Sequence, residues 1–263
     1  MTWLSPLVII AAKSHGPDKV ADLLTTTPAL PAWSTYAAVA FGALAGAAFA
    51  ARRGFDVIGV LGLAVAQGMG GLLLEAILLQ TGEPAVLTDG RYLLLVTIAA
   101  MLGFFFAGLI ARVLEAAVLL DALSLGLLCG IGTHAAMRSG LDDIPSIFIG
   151  VCTAVGGLVL RDILAGQAPE ILRPGIFISV AALIGAILFV VLVEIGATLA
   201  FAQVATLFAV TILRMLSIRL RWQTREAHDL SDRVWHRWQQ PAPTTDAATG
   251  AQDAATGAQD RMP

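Results

Sequence analysis

The chain is short of charge. Only 13% of its 263 residues are Asp, Glu, Lys or Arg, against 57% hydrophobic, and its mean hydropathy is +0.82. Soluble domains carry about 25% charged residues, so a water-soluble globular protein is excluded. Apolar and polar residues do not alternate along the long segments, which excludes the strands of an outer-membrane barrel. Cysteine is scarce: Cys129 and Cys152 are the two, both inside apolar runs, and they read as packing residues rather than a disulfide. No second His or Cys stands at ligand spacing from His134, so no metal site is expected. There is no G-x-x-x-x-G-K-[ST] and no Ser/His/Asp set placed for catalysis. An enzyme, a cofactor and a nucleic-acid partner are therefore not expected. The apolar start at 1–12 lacks a basic region before it, and residues 1–32 read as an extracytoplasmic arm rather than a cleaved signal.

What is present is apolar length and repetition. Seven continuous apolar runs, near 33–51, 57–79, 92–111, 116–137, 144–165, 176–195 and 197–216, match helices of about 20 residues spanning roughly 30 Å of hydrocarbon. The expected fold is all-α, a polytopic membrane protein. The short connections carry the charges. With the amino terminus outside, cytoplasmic segments hold Arg52, Arg53, Arg112, Arg173, Arg214, Arg219, Arg221 and Arg225. The outside holds only Lys13, Lys19, Arg91 and Arg138, so the positive-inside bias predicts amino terminus out and carboxyl terminus cytoplasmic.

Residues 46–78 and 132–164 align without a gap, 86 positions apart (132 against 46). Gly46 falls on Gly132, Arg52 on Arg138, Gly54 on Gly140, Asp56 on Asp142, and Gly70-Gly71 on Gly156-Gly157. Each copy holds three spans, an odd number, so the second enters the membrane from the opposite face. The expected organisation is a first three-helix repeat at 33–115, a second, inverted one at 116–196, a seventh helix at 197–216, and a basic segment with a disordered tail at 217–263. That tail repeats DAATGAQ in tandem and cannot bury enough apolar area to fold.

Gly68, Gly70, Gly71, Gly156 and Gly157 lie mid-span, where glycine costs about 0.5–1 kcal/mol relative to alanine. Either they let two helices approach closely, or they mark a break whose free carbonyls face a water-filled path. Glu75 follows Gly71 by four residues, and Arg161 and Asp162 follow Gly157 by four and five. An ionisable group at membrane depth needs a partner or water. The symmetry predicts that Glu75 and Arg161 approach each other across a central axis, either as an ion pair or as opposing walls of one polar path. The alternative is that Arg161 pairs with Asp162 or reaches the inner surface. Gln67 and its counterpart Thr153 are candidate path-lining groups or interhelical hydrogen bonds. His134 is read first as a helix–helix contact. Arg52 with Asp56, and Arg138 with Asp142, suit capping and turn formation.

The segment LDALSLGLLCGIGTHAAMRSGL…GVCTAVGGLVLRDILAGQAPEILRPG at 120–175 resembles the prokaryotic trimeric intracellular cation (TRIC) channel family, also labelled a glycine-transporter domain family. The resemblance extends over about 33–220. It implies two inverted three-helix repeats plus a final helix, a homotrimer, and one ion path per protomer between helices two and five, which bend at the glycines. It further implies conduction of monovalent cations, chiefly potassium, across a bacterial plasma (inner) membrane, with Arg161 as gate or electrostatic barrier. The sequence departs from the family where Leu72 and Leu158 replace a third glycine. It departs again where Glu75-Ala76 replaces a basic–acidic pair. A secondary transporter of a small amino acid such as glycine stays open beside the channel.

Overall fold

The computed structural model describes residues 30–106, 114–172 and 178–220. The expectations for 1–29 and for most of the basic segment and tail, from 221 on, lie outside the described residues. Among the described residues the chain is helical and contains no strand. The helices are α1 (Ala32–Arg52), α2 (Val57–Leu79), a short α3 (Ala85–Thr88), α4 (Gly90–Phe105), α5 (Leu114–Arg138), α6 (Asp143–Leu164), α7 (Ile178–Glu194) and α8 (Leu199–Arg219), with a 3₁₀ turn at Glu170–Leu172 before α7. Five of them, α1, α2, α5, α6 and α8, are long and apolar enough to cross a bilayer. α4 and α7 are apolar but shorter, at 16 and 17 residues. Each of the seven expected spans thus has an apolar helix.

The two halves begin with the same turn. After α1, Gly54 takes φ +76° and Phe55 N–H donates to Ala50 O at 3.3 Å. After α5, Gly140 takes φ +78° and Leu141 N–H donates to Ala136 O at 3.2 Å. This is a Schellman-type ending, and only glycine takes that left-handed φ without steric cost. The next helix starts at once, on Asp56 in one copy and Asp142 in the other. Asp56 accepts from Gly59 N–H at 2.8 Å, whereas Asp142 caps α6 without a side-chain hydrogen bond to its first turn. Turn formation is therefore what the matched Arg-x-Gly-x-Asp patterns encode.

Packing repeats as the turns do. α1 lies on α2 and α4, as α5 lies on α6 and α7. The halves join through α1 against α5 and α2 against α6, and α8 is added onto α5 and α7. Ser124 Oγ donates to Ala38 O at 3.0 Å, and these two residues are 86 apart. Equivalent residues touch only where a two-fold axis passes between them, so the axis runs through this contact. The outward faces match too. Ile58 and Ile144 are 78% and 81% exposed, and their partners in the pattern, Ile77 and Ile163, are 70% and 57% exposed. Large aliphatic side chains bared this far fit a lipid or subunit environment, not water.

Candidate functional site at the crossing of α2 and α6

The axis passes again where α2 crosses α6. A Cβ on Gly71 would overlap the Thr153 carbonyl oxygen, and one on Gly157 would overlap the Gln67 carbonyl oxygen. A Cβ on Gly70 would stand 2.9 Å from Leu160 Cδ2, and one on Gly156 would stand 2.9 Å from Leu74 Cδ2. Each contact is the image of the other. Position 71 faces 153 while 157 faces 67, so numbers rise on one helix as they fall on the other. The helices are antiparallel, as an inverted pair requires. Gly68 faces α1 instead, with a built Cβ 2.9 Å from Val39 O.

The expected break at these glycines is not found. α2 and α6 run as uninterrupted α-helices from Val57 to Leu79 and from Asp143 to Leu164. The close-packing alternative is the one the geometry realises, because a side chain at 71 or 157 would strike the facing backbone.

A chain of buried polar side chains starts beside the crossing. Arg161 is 6% exposed and Asp162 is 1% exposed. Arg161 donates from Nη2 and Nε to Asp162 Oδ1 at 2.6 and 2.9 Å, and from Nη1 to Gln67 Oε1 at 3.1 Å. Its guanidinium also lies 4.1 Å from the Phe49 ring centroid, a favourable cation–π geometry. Asp162 additionally accepts from Gln167 Nε2 at 2.9 Å and from Glu170 N–H at 2.9 Å. Gln167 in turn accepts from Arg53, whose guanidinium lies 4.3 Å from the Phe49 ring centroid. In the other direction Gln67 Nε2 donates to Asp121 Oδ1 at 2.8 Å. Asp121 Oδ2 is 3.7 Å from Arg214 Nη2. Arginine 161 thus neither reaches the surface nor stands alone.

The expected approach of Glu75 to Arg161 is not formed, and the alternative, Arg161 paired with Asp162, is. Glu75 Oε2 is buried without a hydrogen-bond partner, and Arg161 is committed to Asp162, Gln67 and Phe49. Antiparallel crossing is the physical reason. Glu75 lies four residues beyond Gly71 and Arg161 four beyond Gly157, in opposite directions. At 1.5 Å per residue this separates them by about 12 Å along the helices.

Thr153 does not mirror Gln67 in its bonding. Its Oγ1 donates to Ile149 O at 2.8 Å, within its own helix. His134 is buried and its ring centroid lies 6.4 Å from that of Phe189, edge on, which joins α5 to α7 as a helix–helix contact. Among the described residues no group of three or more His, Cys, Asp or Glu could hold a metal ion. Cys129 is buried with its Sγ 3.1 Å from Ala182 O, and both cysteines are free thiols.

Asp121, Arg214 and Phe49 are the members that the sequence reading missed. Asp121 and Arg214 carried a usable signal, because each is an ionisable residue inside an apolar span. Arg214 was assigned to a cytoplasmic flank, yet it is 3% exposed. Phe49 carried none, since an aromatic in an apolar helix is unremarked. Beside Gln67 and Asp121 lies a cavity of about 10 Å³, lined also by Ser124, Leu125, Leu128, Ala154 and Leu158, room for about one water molecule.

Comparison with known proteins places this arrangement. A family model described as glycine transporter matches the chain twice, at 32–108 and at 118–194, together more than half of it. The two matches start 86 residues apart (118 against 32), the spacing of the internal repeat. A UPF0126 membrane protein of Deinococcus radiodurans is 32% identical over 154 residues, 57% of this chain and 72% of that protein. The UPF0126 inner membrane protein YadS of Escherichia coli K12 is 30% identical over 156 residues, 59% of this chain and 75% of that protein. A structure solved to explain conductance through TRIC cation channels is similar with a TM-score of 0.69 at 27% identity, covering 75% of this chain and 97% of that one. The TRIC trimeric intracellular cation channel orthologue from Rhodobacter sphaeroides gives a TM-score of 0.67 at 29% identity, covering 72% of this chain and 96% of that one. A multi-pass membrane protein whose two halves each match the same model and whose fold follows these structures, the chain belongs to the glycine-transporter domain family, the prokaryotic trimeric intracellular cation (TRIC) channel family.

Proposed function

We propose that the protein is a monovalent-cation channel, potassium-permeable, with one path per protomer between α2 and α6. The carrying observation is the line of hydrogen-bonded polar side chains that runs from the exposed Arg53 through Gln167, Asp162 and the buried Arg161 and Gln67 to Asp121. It stands beside a helix crossing that consists of glycine against carbonyl. Ionisable groups inside membrane-crossing helices are rare, need a partner or water, and mark candidate ion paths. Gly70, Gly71, Gly156 and Gly157 give the crossing surfaces no side chain to remove when the helices part, while Gly68 seats α2 on α1. In this reading the described arrangement is a closed one. A single-water cavity does not pass a potassium ion, so conduction needs α2 and α6 to separate. Arg161, held by Asp162, supplies a positive barrier on one side of the crossing. Glu75 supplies a negative group on the other, and Thr153 and His134 line the charge-poor half.

The chain domains follow as proposed from its sequence, with the repeats at 33–115 and 116–196. The protein works as a homotrimer in a bacterial inner membrane, amino terminus outside and carboxyl terminus cytoplasmic. It is not an enzyme. One similar structure is described as a trimeric intracellular cation channel orthologue, and a relative is described as an inner membrane protein; both support this reading.

Purified protein in planar bilayers tests it. The expected result is picoampere unitary currents in potassium chloride. Saturable, ion-coupled glycine uptake by proteoliposomes with no unitary current would instead establish the transporter.

A further inference from the structure

The final helix has no counterpart in the repeat, yet its buried face is polar. Gln203, Thr206, Thr211, Arg214 and Ser217 on α8 are each no more than 8% exposed. They recur every three to five residues, so they form one stripe, and it faces α5. Gln203 Nε2 donates to Leu127 O at 3.0 Å, and Thr211 Oγ1 to Ala122 O at 3.4 Å. Between membrane helices such groups hold the pair together by hydrogen bonds. Within the stripe, Arg214 Nη2 stands 3.7 Å from Asp121 Oδ2.

We propose that Arg214 and Asp121 are positioning residues for Arg161: α8 fixes the pathway charge through the relay Arg214–Asp121–Gln67–Arg161. The proposal rests on the reading of Arg161 as a charge beside the ion path. The geometry of the Gln67 amide carries it. Its Nε2 donates to Asp121 at 2.8 Å, and its Oε1 accepts from Arg161 at 3.1 Å. A carboxylate accepts only and a guanidinium donates only. The amide therefore has one orientation that satisfies both neighbours. A flip would set its NH₂ against the guanidinium and its oxygen against the carboxylate. Asp121, by accepting from Nε2, thus selects the amide orientation that presents an acceptor to Arg161. The Asp121 side chain is 13% exposed, and Arg214 is the one cation within 4.0 Å of it among the described residues. Taking Arg214 away leaves that carboxylate uncompensated. It then loses its charge or draws in water, and in either case the hold on Gln67 changes.

The alternative is that the pair only glues α8 to the bundle. The two roles differ in how they combine with Arg161. Unitary potassium conductance and the reversal potential in a potassium chloride gradient are measured for the full-length protein. Four forms are compared: unmodified, the charge-neutral pair Asp121→Asn with Arg214→Gln, Arg161→Gln, and all three substitutions together. The relay predicts that the pair changes conductance about two-fold or more in the unmodified background. It predicts no further change once Arg161 is Gln. Gln67→Met, which breaks both links without burying a charge, should reproduce the effect of the pair. It also serves if the pair fails to assemble. Arg214→Lys, which keeps the charge, should restore most of the unmodified conductance. Equal effects with and without Arg161, or a Gln67→Met form identical to the unmodified protein, would overturn the relay alone. An unmodified protein that carries no unitary current would overturn the relay and the channel reading together.

Discussion

At the residue scale the glycines divide into those that touch something and those that do not. Gly71 and Gly157 each sit against a carbonyl of the partner helix, and a Cβ at either has nowhere to go because backbone cannot step aside. Gly62, on the same helix as Gly71, has nothing within 4 Å of its would-be Cβ. Alanine at 71 or 157 should therefore destabilise the protein by about 1–3 kcal/mol through overpacking. Alanine at 62 should stabilise it by about 0.5–1 kcal/mol through helix propensity alone. Thermal unfolding in detergent of the three variants checks this, and equal midpoints would show that the crossing is not tightly packed. Gly71 and Gly157 were visible in the sequence as matched glycines. Which neighbour each meets was not visible, because that depends on how two distant helices cross.

At the element scale α4 shows how a short apolar helix is fixed at its start. Asp89 Oδ1 accepts from Arg91 N–H at 3.0 Å, and Asp89 Oδ2 accepts from Tyr36 Oη at 2.9 Å. Tyr36 in turn stacks on Tyr92 with ring centroids 4.6 Å apart, so one carboxylate ties α4 to α1. The backbone hydrogen bond from Arg91 and then that from Tyr36 hold the Asp89 carboxyl below its usual range. A folded-state value below the unfolded one means that the ionised form favours the fold. The contribution is fully present above the unfolded value near pH 4 and is lost as pH falls through the lower folded value. The acid limb of a stability–pH profile should accordingly be shallower in Asp89→Asn than in the unmodified protein. Superimposable acid limbs would mean that the tie to Tyr36 contributes nothing. The cap is local, set by Asp89 standing two residues before Arg91, whereas the link to Tyr36, 53 residues away, is a tertiary fact.

At the scale of the whole molecule the backbone is nearly symmetric and the charge is not. Arg161, Asp162, Asp121 and Gln67 stand on one side of the crossing, and their counterparts are Glu75, Ala76, Thr35 and Thr153. A cation path through such a body has a different field at its two ends. In the proposed channel the current–voltage relation in symmetric potassium chloride should rectify. Glu75→Arg, which makes the two copies alike at this position, should bring the ratio of inward to outward conductance closer to one. Rectification unchanged by that substitution would remove Glu75 from the path.

The sequence by itself determined the membrane class, the seven apolar segments, the 86-residue repeat and its inversion. These follow from composition and counting: an apolar run of fixed length must span, and an odd number of spans must invert. It also marked the matched turns, since Gly54 and Gly140 are required locally by the left-handed ending of a helix. Only the tertiary structure decided what the buried charges do. Glu75 and Arg161 are equivalent in register, yet the antiparallel crossing carries them apart. Asp121 and Arg214 are unrelated in register, yet α8 brings them together. Contact between distant side chains depends on the angle and depth at which helices meet, and a repeat pattern specifies symmetry without specifying that distance.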